Sequence, residues 1–382
     1  MSFVQMELFD IKADSIKLIE SREYLTQQLV TYIGNKRSLL RFIGQAIDVV
    51  RKRLHKNKIS FLDGFSGCGI VSRYARKDSE LVICNDIEGY AEVISKCYQS
   101  NKSELPLSEL KEIYSYLKSM LTEEKLFDGF ITRLYAPKQD SNIQSGERVF
   151  YTRRNAMYLD TARSLLKGIN QDYLHLFLAP LLSEASIHAN TSGVFKGFYK
   201  NSITGIGQFG GNNCDALKRI KANISIQFPV LSNFECNSVV YREDINTLVE
   251  RIEEVDLAYF DPPYNQHPYG SNYFMLNLLV EYKEQGHISS VSGIPSGWKR
   301  SDYNKKTKAL TSFAELIGKT KARYILVSFN SEGFINKDEM ISMLKRHGKV
   351  EFFETRYNTF RGSRNLRNRN IHVSEHLFLL EK

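Results

Sequence analysis

Several functional classes can be set aside because their signatures are missing. The five cysteines, Cys68, Cys84, Cys97, Cys214 and Cys236, are odd in number and widely spaced. No pair has CxxC spacing, so neither a zinc site nor a disulfide framework is signalled, and reduced thiols are expected. There is no run of about 18 apolar residues, so no transmembrane helix is expected. The N-terminus carries Glu7, Asp10 and Asp14 where a signal peptide would be basic and then apolar, which points to the cytoplasm. The histidines show no metal spacing, and a GxxxxGK[ST] phosphate cradle is absent. A Pro-Cys nucleophile motif is absent as well.

What is present begins with size. A chain of 382 residues, 42% hydrophobic and 25% charged, can build one large core plus a satellite region. Its net charge of +9 favours a polyanionic partner by attraction and counterion release. The cations cluster. Arg356, Arg361, Arg364, Arg367 and Arg369 are followed by no acid until Glu375, and Trp298-Lys299-Arg300 precedes Tyr303, Lys305, Lys306 and Lys308. Cations interleaved with aromatics suit phosphate contact plus base stacking, and a solvated loop is the competing reading.

Along the chain, residues 38–47 have the apolar spacing of an amphipathic helix, closed favourably by the basic stretch from Arg51 to Lys58. The spacing then predicts a strand over 59–63, the turn Gly64-Phe65-Ser66-Gly67-Cys68-Gly69, a helix over 70–75 and a strand over 81–84 ending at Asn85-Asp86. Strand, glycine turn, helix, strand and terminal acid form a βαβ unit. Glycines let the backbone approach a ligand, and Asp86 falls where a carboxylate would accept bonds from both ribose hydroxyls. Without a phosphate cradle, a nucleoside-type ligand fits better than ATP or NAD, and S-adenosylmethionine is the candidate. Helical segments with polar loops fill roughly 105–233, including a glycine-rich loop over 201–213. Strands return at 239–244, 255–260, 324–329, 349–357 and 376–380, with a helix at 337–346.

The most informative segment is Asp261-Pro262-Pro263-Tyr264, which follows the apolar run Val255 to Phe260. Two prolines fix the backbone and remove two N–H donors, leaving nearby carbonyls free to accept. A carboxylate, a free carbonyl and an aromatic face at the mouth of a sheet suit a planar base with an exocyclic amine. Hydrogen bonds from that amine to Asp261 and the Pro262 carbonyl would draw its lone pair out of conjugation, so that positioning and electrostatics do the rest. Inside a duplex the base must first be flipped out, at a cost of a few kcal/mol, against which stacking on Tyr264 could return about 1–3 kcal/mol.

Taken in order, Tyr32-Ile33-Gly34-Asn35-Lys36, the turn from Asp63 to Gly69, Asp86, and Asp261 to Tyr264 resemble the Dam-type (alpha-group) N6-adenine DNA methyltransferases. The resemblance covers roughly residues 30–100 and 235–382. It implies an α/β fold: a Rossmann-like S-adenosylmethionine-dependent methyltransferase sheet, mostly parallel with a C-terminal antiparallel strand, plus an inserted, largely helical target-recognition region. It implies cofactor contacts from Tyr32, Lys36, Asp63, Phe65, Gly67, Gly69, Asp86 with Ile87, Asp244 with Ile245, and Asp261. Asp244 would take the cofactor's adenine amine. Asn190-Thr191-Ser192-Gly193 with Lys196 and Lys200 resembles a DNA-facing loop of the family. Tyr32 and Asp63 stand where many relatives have Trp and Glu.

The expected division is a leader over 1–20, a cofactor-binding part over 21–104, an inserted recognition region over 105–234, and an active-site part with a basic hairpin over 235–382. The expected enzyme is monomeric, works on double-stranded DNA without metal, and belongs to a setting where a cognate restriction endonuclease is a candidate partner. An RNA amine methyltransferase and a catalytically silent DNA-binding subunit of the same fold are the alternatives. Motif order, the retained Asp261 and the intact glycine turn argue against them.

Overall fold

The computed structural model describes residues 19–27, 29–263, 266–298, 300–331, 333–358 and 372–382. Seven strands, β1 (Ile59–Asp63), β2 (Ser79–Asn85), β3 (Asn237–Tyr241), β4 (Val255–Phe260), β5 (Ala322–Asn330), β6 (Lys349–Asn358) and β7 (His372–Glu381), form one sheet. Their order is β3-β2-β1-β4-β5-β7-β6. The first five are mutually parallel, and β7 runs antiparallel to both β5 and β6. The chain leaves β1 toward one edge and resumes at β4 on the other side. Ligands of such sheets bind beyond the carboxyl ends of the strands flanking that reversal.

β4 is buried at all six positions, as a central strand covered on both faces must be. Leu257 and Tyr259 join the apolar cluster on one face, Ala258 and Phe260 that on the other. Full burial of a side chain such as Leu257 or Phe260 contributes roughly 1.5–3 kcal/mol. Asp256, the acid in this run, is held 2.8 Å from the Lys56 ammonium through both oxygens and also accepts from the Ser60 N–H. The helix Leu40–Arg53 buries Leu40, Ile43, Ile47 and Val50 at helical spacing and sets Arg51, Lys52 and Arg53 against its negative end.

The middle block is helical, with Leu107–Met120, Arg153–Leu165 and Leu174–Ile187 as its longest helices. Leu110, Leu117, Leu159 and Leu178 share one apolar cluster with Phe61 and Leu257 of the sheet. The helix Leu174–Ile187 is buried nearly all round, so its sequence shows no polar face to read. Buried Arg76 fastens the end of this block to the βαβ unit by donating to the Phe234 and Gln99 carbonyls.

Two expectations are corrected. Residues following Tyr303, read as part of a basic, aromatic surface cluster, form the helix Lys306–Lys319, whose Ala309, Phe313, Leu316 and Ile317 are buried. Cations on its outer face hide the apolar stripe. β3 ends at Tyr241, so Asp244 does not terminate a strand. It caps the helix Ile245–Arg251, its side chain accepting from the Asn246 N–H at 2.9 Å.

Candidate active site

The glycine turn after β1 is shaped by its neighbours. Gly64 N–H donates to the Tyr259 carbonyl of β4 and Ser66 N–H to the Asn85 carbonyl of β2, so the turn is stitched to both adjacent strands. Gly67 (φ 50°) and Gly69 (φ 70°) lie in the left-handed region, and a Cβ on Gly67 would come within 2.9 Å of the Tyr32 hydroxyl. Gly67 N–H donates to Asp86 Oδ2 at 2.8 Å, and Glu88 N–H donates to Asp86 Oδ1 at 3.0 Å. Burial raises the Asp86 carboxyl above its ordinary value, opposed by these backbone donors. Asn85 Nδ2 donates to the Gly64 and Glu243 carbonyls, fixing the turn against the segment after β3.

These strand ends converge on an open cleft beyond the carboxyl ends of the strands, where ligands of such sheets bind. Tyr32, Phe65, Asp86, Ile87, Asp244, Ile245, Asp261 and Pro263 line it. Gly67 and Gly69 lie behind the surface they shape. Asp63, 1% exposed, points beneath the turn and accepts from Ser72 Oγ at 2.5 Å. Burial pushes its carboxyl up to about 7, with Ser72 opposing. Its place is under the cradle, away from the cleft wall.

Asp261 stands at the end of β4 with its carboxylate divided between two environments. Oδ2 is 2.9 Å from Lys36 Nζ, while Oδ1 is buried and has no hydrogen-bond partner among the described residues. Lys36, 3% exposed, also lies 3.4 Å from Oε1 of the fully buried Glu375 and donates to the Gly34 carbonyl at 3.3 Å. Burial lifts the Asp261 carboxyl to about 6, Lys36 opposing and Glu375 adding. Lys36 therefore braces Asp261 from below. Pro262 is buried.

Tyr32 forms a near-parallel aromatic cluster with Tyr269 and Tyr273, at centroid distances of 5.0 and 4.8 Å. Tyr273 hydroxyl accepts from Ile33 N–H at 2.8 Å and Tyr269 hydroxyl donates to the Ile33 carbonyl at 3.0 Å. The Tyr32-to-Lys36 turn is thereby clamped onto the chain that follows the active-site prolines. Opposite, Phe65 packs edge-on against Tyr303 at 5.1 Å, and the Tyr303 hydroxyl donates to Asn246 Oδ1 at 2.6 Å. Tyr303, grouped by sequence with the nucleic-acid-facing cations, is 3% exposed and belongs to the cleft wall with Ser301 and Asn304.

Lys196 Nζ lies 3.0 Å from His267 Nδ1, beside the active-site segment, and Lys200 covers the Phe198 ring at 5.0 Å. Arg300 packs over Trp298 at 4.4 Å. Asn190 is fully buried and serves the fold: its amide donates to the Val149 carbonyl, and its Oδ1 accepts from Gly210 N–H. Tyr264, Lys299, Arg361, Arg364, Arg367 and Arg369 lie outside the described residues. Sequence reasoning missed Asn85, Tyr269, Ser301, Tyr303, Asn304 and Glu375 as parts of this site. Only the tyrosines at 269 and 273, one helical turn apart, left a usable signal.

Known proteins are similar in sequence over most of the chain. It is 29% identical over 340 residues to the type II methyltransferase M.CviAII of Paramecium bursaria Chlorella virus 1, covering 87% of this chain and 93% of that one. It is 30% identical over 366 residues to the type II methyltransferase M.NlaIII of Neisseria lactamica, covering 92% and 99%. Against the type II methyltransferase M.FokI of Planomicrobium okeanokoites the identity is 28% over 365 residues, with 92% of this chain matching 52% of that protein. The family model for D12 class N6 adenine-specific DNA methyltransferases matches residues 32–343, a span running from the Tyr32 turn through the glycine cradle and Asp261 to the helix after β5. Site and comparison agree on one assignment: the chain belongs to the D12 class of N6 adenine-specific DNA methyltransferases.

Proposed function

We propose that this enzyme moves a methyl group from S-adenosylmethionine to N6 of an adenine swung out of duplex DNA, with Asp261 and the Pro262 carbonyl accepting the two amine hydrogens. The state of Asp261 carries the proposal. One oxygen is committed to Lys36, and the other is buried without a hydrogen-bond partner among the described residues, in a residue that lines the cleft with Asp86 and Phe65. A buried acceptor left unpaired costs about 1–3 kcal/mol, and an exocyclic amine is a donor that removes the cost.

The residues present suit the methyl donor. Asp86 keeps lone pairs for ribose hydroxyls while backbone N–H groups hold each oxygen, and Phe65, Ile245 and Tyr303 offer an apolar slot for a purine. Asp244, at the rim, would take an adenine amine. Bound there, S-adenosylmethionine supplies an electrophilic sulfonium methyl. The protein's part is to aim the amine. Asp261 Oδ1 and the Pro262 carbonyl fix both amine hydrogens, and Lys36 favours the ionised carboxylate. The product keeps one of the two hydrogens, and Asp261 Oδ1 is the atom that receives the other before solvent removes it.

Region 105–234 is proposed as the reader of the target sequence, with Lys196, Lys200, Trp298, Lys299, Arg300 and the arginines at 361, 364, 367 and 369 on phosphates or bases. The names of the type II relatives support a restriction-modification setting with a cognate endonuclease. A monomeric, cytoplasmic enzyme is the form proposed. The test is methyl transfer from S-adenosylmethionine to duplex DNA and to ribosomal RNA, with N6-methyladenine identified after digestion and Asp261→Asn as control. N6-methyladenine in DNA is expected, lost in the variant with cofactor binding retained. A preference for RNA, or turnover in the variant, sinks the proposal.

A further inference from the structure

We propose that Glu375 is a positioning residue of the transfer step: acting through Lys36, it keeps Asp261 turned with Oδ1 presented to the incoming amine. The inference rests on Asp261 being the amine acceptor. Glu375 enters from β7, paired in register with Asn330 of β5, and its side chain is fully buried. Oε1 accepts from Ser328 Oγ at 2.5 Å and lies 3.4 Å from Lys36 Nζ. Oε2 has no hydrogen-bond partner among the described residues.

Stability does not account for an acid here. With both carboxylates ionised, Asp261 and Glu375 share one ammonium, and the unpaired oxygen adds its own desolvation cost. Leu377 and Leu379, in the same apolar cluster as Leu257 and Tyr259, are what packing alone places on this strand. What Glu375 supplies is direction. A lysine ammonium is a point charge on a flexible stem. Held also by Glu375 and the Gly34 carbonyl, it meets Asp261 through Oδ2 and leaves Oδ1 without a hydrogen-bond partner among the described residues.

The charge of Glu375 also bears on when Asp261 ionises. The charges acting on Asp261 are Lys36 from the N-terminal turn and Glu375 from β7, and Asp261 in turn raises Tyr259 of β4 and Asp63 of β1. Glu375→Gln removes one negative neighbour and keeps the shape. The experiment compares single-turnover transfer across about pH 5–8 in the parent, Glu375→Gln and Ser328→Ala, with cofactor affinity by calorimetry. In Glu375→Gln the rate at neutral pH is expected to fall roughly tenfold from lost aim. Cofactor affinity stays within about twofold, and the acid limb moves down by about one pH unit. Ser328→Ala, which keeps the charge, leaves the limb in place. A folded Glu375→Gln enzyme with the parental rate and limb overturns the inference, as does an equal limb shift in Ser328→Ala. Should Glu375→Gln fail to fold, Glu375→Asp retains the charge but draws it back by one methylene. A reduced rate with an unmoved limb then supports the inference, and a parental rate overturns it. Asp261→Asn separates the two claims: turnover in that variant sinks the reading of Asp261, whereas its inactivity beside an unaltered Glu375→Gln sinks only the role of Glu375.

Discussion

The cleft holds two half-buried carboxylates at the ends of β2 and β4, and they are held in opposite ways. Asp86 is fixed by backbone: one oxygen on Gly67 N–H, the other on Glu88 N–H, both within its own βαβ unit. Asp261 is fixed by a side chain from far upstream, itself braced by an acid from far downstream, and one of its oxygens has no hydrogen-bond partner among the described residues. A binding carboxylate can be saturated by rigid donors and still use its spare lone pairs. An acceptor that must grip a reacting amine needs an unfilled place, and a movable charge beside it to set its proton affinity.

The sharpest way to break this contrast is Lys36→Met. It strips Asp261 and Glu375 of their shared cation, so stability is expected to drop by about 3–5 kcal/mol and turnover by roughly a hundredfold. Chemical denaturation and single-turnover assays check the two losses, and turnover near the parental level would show that Asp261 needs no brace. Next is pH. Because burial lifts Asp261 to about 6, the working carboxylate is lost as pH falls through that value, and the rate should drop about tenfold per unit below it. A profile flat to pH 5 would contradict this.

Asp86→Asn leaves one oxygen to accept, so one of the two backbone N–H donors faces an amide NH2 and acceptance from ribose is weakened. The cofactor's apparent affinity should fall about tenfold, with the rate at saturating cofactor nearly kept, as titration calorimetry beside kinetics would reveal. An equal loss in rate would mean that the two carboxylates do not divide the work. The smallest expected effect is on the DNA side. Reversing the charge of Arg364 and Arg367 should weaken duplex binding and reduce the salt slope by about one for each phosphate no longer neutralised. An unchanged slope removes them from the interface.

Stability and activity pull against each other at this site. A carboxyl whose folded-state value is raised binds its proton more tightly in the folded protein. Its contribution to stability is present below the ordinary carboxylate value near 3.9 and is lost as pH rises through the folded value, about 6 for Asp261 and about 7 for Asp63. At neutral pH the contribution of Asp261 is largely spent and that of Asp63 is being lost.

What the sequence made legible was local. The glycine turn, Asp86 and the Asp261 segment announce themselves within a few residues, because strand, turn and acid must be adjacent to do their work. The opposing wall was hidden for a different reason. Tyr303 sits among lysines whose charges mask the buried face of the following helix, so a wall residue read as a surface aromatic. Glu375 ended an arginine-rich stretch and looked like its boundary. Only the register of β7 against β5 carries it beneath Lys36, and register between strands so distant in sequence is set by packing. Asp63 shows the converse: its position was evident, but the direction of its side chain, toward Ser72 and away from the cleft, depends on the helix behind it.

β7 is threaded between β5 and β6, although the ribosome makes it after both. A nascent chain that has already released β5 and β6 must hold a gap open, or part a premature pairing, until the later segment arrives. Synthesis at about 5–20 residues per second makes that interval one of seconds. Throughout it the pocket would contain Lys36 and Asp261 without their brace, so the capacity to mark DNA would switch on late and all at once.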